Sequence, residues 1–126
     1  EGERIHALST DSRYIPGLRK WVYGTHEQTV AYFRDQVRPG DIVVTHMVPL
    51  LACVPPAFAK NPKNMLFVGP CDEVIAKNRP AFWLFGHTHD DVDVFVGETR
   101  CICAPGGNPK HERERRPDYA GRIIEI

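Results

Sequence analysis

Phe82-Trp83-Leu84-Phe85-Gly86-His87-Thr88-His89 is the stretch on which the reading of the fold turns. Its first four residues form a short apolar run closed by a glycine, the pattern of a buried strand. Gly86 has no Cβ, so the chain can turn sharply there and approach a ligand closely. Two imidazoles then stand just beyond the carboxyl end of the strand, with Asp90 and Asp91 after them. In open α/β sheets, ligand sites collect at that place. Taken alone, the stretch also fits a polar strand-end loop carrying two solvated histidines.

Working outward, a second stretch has the same form. Asp41-Ile42-Val43-Val44-Thr45 is short, apolar and β-branched, and His46 follows it. It comes after Arg38-Pro39-Gly40, a sequence that stops a helix, and it reads as an interior strand covered on both faces. The helix before it is expected over residues 26–37. Thr25 suits its N-cap with Gln28 three positions on, and Val30, Phe33 and Val37 mark its buried face. Strand and helix alternating in this way make the fold class α/β.

The remaining segments read less sharply. Residues 4–8 and 18–23 are expected as strands, the second holding Trp21 and ending at Gly24. Residues 50–62, with Pro55, Pro56 and Pro62, read as a long irregular loop, a kind of segment that is often functional. A brief strand is expected at 65–68 and a short helix or turn at 72–77. Residues 92–96 and 99–103 flank Gly97-Glu98 as a β-hairpin. Residues 110–116 alternate in charge and form a solvated segment or a weak basic patch. Residues 122–126 close the chain as a strand. With no internal repeat and no composition break, residues 1–126 read as a single domain.

Composition narrows the function classes. The 126 residues carry 16 basic and 16 acidic side chains, a balance that does not indicate nucleic acid as a partner. No run approaches the roughly 18 apolar residues of a membrane span. The opening Glu1-Gly2-Glu3-Arg4 leads to no apolar signal region, so a cytoplasmic protein without membrane contact is expected. Cys53, Cys71, Cys101 and Cys103 have no scaffold-like spacing and are expected as free thiols. Cys101 and Cys103 could also be a zinc pair, although no second Cys or His pair sits at the usual spacing.

If the strands before His46 and His87 are parallel neighbours, both imidazoles emerge on one edge of one sheet. His89 can reach the same point from the loop. Converging neutral imidazoles suit divalent transition metals such as Zn, Fe, Ni or Mn. One zinc held by His46, His87 and His89, with an open water position, is one such arrangement.

Val44-Thr45-His46-Met47 with Pro49, followed by Gly86-His87-Thr88-His89, resembles the calcineurin-like metallophosphoesterase family. The hairpin and the Ala104-Pro105-Gly106-Gly107 loop resemble that family's closing segment, so the likeness covers residues 41–126. The resemblance implies part of an α/β/β/α sandwich with mixed sheets. It implies hydrolysis of phosphomonoesters or diesters by a hydroxide bridging two divalent ions (Mn, Fe, Zn or Ni). His46 and His87 match ligands of one ion, and His89 matches a ligand of the other.

The family's earlier motifs, Asp-x-His, Gly-Asp-x-x-Asp and Gly-Asn-His, are absent. Gly40-Asp41 has Val44 where a second aspartate belongs, and Gly107-Asn108 is followed by Pro109. The chain therefore resembles the C-terminal half of such a domain. A complementing N-terminal half or a homo-oligomer would supply the carboxylates. Asp41, at about 3.3 Å per residue, lies about 16 Å from the end of its own strand. Asp90 and Asp91 are the nearest local carboxylates, and His111 is a remote candidate for a phosphate-stabilising histidine. The alternative is a catalytically inactive structural or interaction module with Trp21, Trp83, Leu50 and Leu51 on its binding face.

Overall fold

Strand and helix do alternate. A computed structural model describes residues 14–107, 110 and 119–125. Among these residues the elements run α1 (Leu18–Gln36), β1 (Ile42–Val44), α2 (Asn64–Phe67), α3 (Asp72–Asn78), β2 (Phe82–Leu84), β3 (Val92–Val96) and β4 (Thr99–Cys103). Two 3-10 turns, Leu51–Cys53 and Pro56–Phe58, lie between β1 and α2. The architecture is a mixed α/β fold with a four-stranded mixed sheet. The strands expected at residues 4–8 and most of the charged segment 110–116 lie outside the described residues, as does His111.

Helix α1 corrects two expectations. It begins eight residues earlier than the capping signal at Thr25 implies, so residues 18–23 are helical, not extended. Gly17, with φ of 76°, turns the chain into its first residue. Thr25 sits inside the helix, where its carbonyl accepts the Thr29 hydroxyl at 2.8 Å. Val22, His26, Val30, Phe33 and Val37 are its less exposed positions, at spacings that keep them on one face. Gly24 lies within the helix, at a cost of about 1 kcal/mol relative to alanine.

The sheet order is β1-β2-β4-β3. β1 pairs parallel with β2 in the register Val43–Trp83, and β2 pairs parallel with β4 in the register Trp83–Cys101. β3 and β4 form the expected antiparallel hairpin, with Val92 opposite Cys103. Among the described residues β1 lies at the sheet edge, and Ile42 and Val44 are exposed. That departs from the expected interior strand: the β-branched run here faces the core through Val43 alone. Residues 122–125 form no strand, and Ile123 is almost fully exposed. Residues 64–67 form a single helical turn, after which Val68 makes an isolated parallel bridge to Val48.

The core lies between the sheet and the α1–α3 layer. Trp83 is fully buried, and Phe33 of α1 meets it edge-on at 5.4 Å between ring centroids. Val74 and Ile75 of α3 join the same cluster. At the carboxyl end of α1, where backbone carbonyls lack helical partners, the Asn78 amide donates to Arg34 O and Val37 O, both at 2.9 Å. Thr99, the one buried polar residue of β4, donates its hydroxyl to Pro80 O at 2.6 Å. All four cysteines are free and buried. Burial, with the nearby Asp72 charge, pushes the Cys71 thiol up to about 11. No helix among the described residues is long and apolar enough to cross a membrane.

Candidate functional site

The site is assembled by strand direction. β1 and β2 are parallel, so the segments leaving them emerge on one edge. The ladder continues past both strands: Thr45 N–H donates to Leu84 O at 2.9 Å, and Gly86 N–H donates to His46 O at 3.1 Å. His46 and His87 thereby become neighbours, with ring centroids 5.4 Å apart and planes at 88°. The following residues stay on this edge, because β3 starts at Val92, which pairs with Cys103 at the far end of β4.

Each imidazole is held by its surroundings. Gly86 packs directly on His46, since a Cβ there would lie 3.3 Å from His46 Nδ1 and 3.5 Å from His46 O. The Trp83 indole donates to Thr45 Oγ1 at 3.0 Å, and the Thr45 hydroxyl donates to Met47 O at 2.8 Å. That relay brackets the His46 peptide and ties it to the core. The sequence names His46 but carries no mark of Thr45 as its positioning residue. The only available clue was a hydroxyl-bearing residue between an apolar strand and the histidine.

His87 is half-buried and adopts φ of 65°, a left-handed conformation that non-glycine residues seldom take. Such backbone strain gathers at functional sites. Its ring stacks on Phe67 at 4.2 Å between centroids, with planes 29° apart. Phe67 arrives there because Val48 N–H donates to Phe67 O at 3.2 Å and Gly69 N–H donates to Val48 O at 2.7 Å. Burial lowers the basicity of His87, and the charges of His46 and His89 lower it further. A neutral imidazole with an available lone pair is the form a metal ion requires.

The other candidates are placed differently. His89 is exposed and acts on His87 by its charge. Among the described residues no three His, Cys, Asp or Glu side chains are arranged to hold a metal ion. Asp41 is committed elsewhere, its carboxylate accepting Arg38 N–H at 2.8 Å. Asp90 donates its backbone N–H to Thr88 Oγ1 at 3.3 Å. Cys101 and Cys103 are buried in the sheet, and Cys53 hydrogen-bonds Cys101. The pair His46–His87 thus fits part of a metal ligand set.

Two cavities open beside the pair. One, of about 320 Å³, runs from Phe58 and Lys63 past Phe67 to His87, His89 and Asp90. The other, of about 440 Å³, lies between α1 and the end of β1 and is bordered by Trp21, His26, Met47 and His46. His46 and His87 stand where the two cavities approach each other. No family model, curated protein or solved structure matches the chain.

Proposed function

We propose that this chain is the histidine-bearing part of a calcineurin-like, metal-dependent phosphoesterase. Its carboxylate ligands would come from beyond these residues or from a partner chain, including a second copy. The observation that carries the reading is the His46–His87 pair at the shared edge of two parallel strands. It fits divalent Mn, Fe, Zn or Ni, which take imidazole nitrogen. When bound, a pair of such ions makes a nucleophile from water near neutral pH and stabilises the attacking and leaving oxygens of a phosphate ester.

The chain's own contribution is positional. Gly86 and the Thr45 relay hold His46 in place. Phe67 stacks on the plane of His87, and burial disfavours protonation of His87. His89 faces the cavity that would receive a phosphate-ester substrate. The sandwich architecture of the family belongs to this same proposal, as does a cytoplasmic setting.

The test is metal titration followed by complementation. Cobalt or zinc should bind the isolated chain weakly, and His46→Ala or His87→Ala should abolish the binding. Phosphatase activity should appear only when a carboxylate-bearing segment or chain is added. Full two-metal activity from the isolated chain would refute the complementation. If neither histidine affects metal uptake, the inactive interaction module becomes the better reading. That reading draws on the exposed Trp21, Val44 and Met47 beside the larger cavity.

A further inference from the structure

The 320 Å³ cavity has a composition that selects among ligands. One wall is aromatic and apolar, built from Phe58, Phe67, Pro55 and Val54. The polar lining is Asn61, Lys63, Asn64, His87, Thr88, His89 and a single carboxylate, Asp90. The Lys63 ammonium forms no ion pair with any described residue. An apolar wall with a few placed polar groups is the usual make-up of a small-molecule pocket, and this volume lies near the small end of that range. It suits one ring system with its attached group.

The loop that forms the wall is internally braced. The Asn64 amide donates to Phe58 O at 2.8 Å and to Ala59 O at 3.3 Å, and Lys63 N–H donates to Asn61 Oδ1 at 2.9 Å. These bonds hold the backbone of the 58–64 segment, while the Phe58 side chain remains 45% exposed. Its ring is free to stack on a ligand, and Phe67 is already fixed against His87.

We infer that this pocket receives the ring-bearing end of a phosphate ester, a nucleoside or similar planar heterocycle, with its phosphate toward Lys63 and His87. The assignment rests on the phosphoesterase reading for its direction, but the binding itself requires no turnover. Stacking on Phe58 recognises the ring, and Phe67 belongs to the apolar wall beside it. Lys63 supplies the positive charge for the phosphate, and Asn61 and Asp90 are the polar partners for the ring edge or the sugar. Phe58 and Lys63 are therefore specificity-determining residues outside the histidine pair.

Binding of adenosine 5′-monophosphate, ribose 5-phosphate and inorganic phosphate to the metal-free chain, followed by heteronuclear NMR, tests this. The nucleotide should bind about tenfold more tightly than the sugar phosphate, the share expected of one stacked base. Phe58→Ala should remove that preference and leave ribose 5-phosphate binding unchanged. Phe58→Leu, which keeps the apolar bulk without the ring, should do the same and guards against misfolding. Lys63→Gln should weaken both phosphate compounds by about tenfold. Equal affinity for the nucleotide and the sugar phosphate, or indifference to Phe58→Leu, would overturn the assignment. Failure of metal uptake at His46 and His87 with the nucleotide preference intact would sink the phosphoesterase reading and leave the pocket assignment standing.

Discussion

Gly86 gives its backbone N–H to the His46 carbonyl at 3.1 Å while its missing Cβ leaves room for the His46 ring, whose Nδ1 would otherwise lie 3.3 Å away. One residue thus sets both the position of the next strand end and the closeness of the imidazole beyond it. A methyl group at Gly86 would press on a side chain that can yield by a few tenths of an ångström. Gly86→Ala should leave the fold intact, displace the His46 imidazole resonances, and weaken zinc or cobalt uptake by about tenfold, the low end of the effect of disturbing a ligand's support. Competition titration with a chelating dye measures it.

Gly24 makes the opposite case. A Cβ there would meet nothing within 4 Å, and the residue sits in the middle of α1. Gly24→Ala should stabilise the protein by about 0.5–1 kcal/mol through backbone entropy. Urea unfolding should show a higher midpoint with an unchanged slope.

Thr45→Val keeps the shape of the side chain and removes the acceptor of the buried Trp83 indole. The orphaned N–H should cost about 1–2 kcal/mol. The same substitution frees Met47 O, so His46 resonances should broaden in NMR even where the protein remains folded.

Asp93 is the acid-sensitive group of the hairpin. Hydrogen bonding from Arg100, helped by Arg122, holds its carboxyl down to about 2. The folded state therefore binds a proton less readily than the unfolded chain, whose aspartates titrate at about 3.9. Stability from this group is fully present above the unfolded value and is lost as pH falls through the folded one. Asp93→Asn should cost up to about 1 kcal/mol at neutral pH, since the pair is largely at the surface. The difference from the wild type should shrink between pH 4 and pH 2 in acid-unfolding curves.

The elements nearest the candidate site were the most legible in the sequence. β1, β2 and the hairpin each had a short apolar run bounded by turn residues, and α3 had a clear stop before Pro80. The pattern places His46 and His87 just beyond two short strands, and the parallel pairing that makes them neighbours is supplied by the structure. The amino half of α1 is not legible because Gly24 reads as a terminator and Thr25 as a cap, two local signals that the helix runs through. Val22 and His26 extend the Val30-Phe33-Val37 face, and their spacing was the available sign of a longer helix. The turn at 64–67 resembles a strand in sequence because Met65, Leu66, Phe67 and Val68 form an apolar run, which does not by itself distinguish a helical turn from a strand. Phe67 then acquires its position against His87 from the Val48–Val68 bridge, a contact between residues twenty apart that no local pattern encodes.

The Asn78 amide, bonded to the carbonyls of Arg34 and Val37, joins the last turn of α1 to the last turn of α3. Fraying at that corner is coupled: releasing α3 removes the donor from the α1 carbonyls, and releasing α1 leaves the Asn78 amide without its acceptors. Their amide protons should exchange with solvent as one cooperative unit, and Phe33, which braces Trp83 from α1, opens with them. The support beneath the histidine edge is therefore governed by an asparagine on the opposite end of the sheet layer, so the lifetime of the site is set by an opening event that does not begin there.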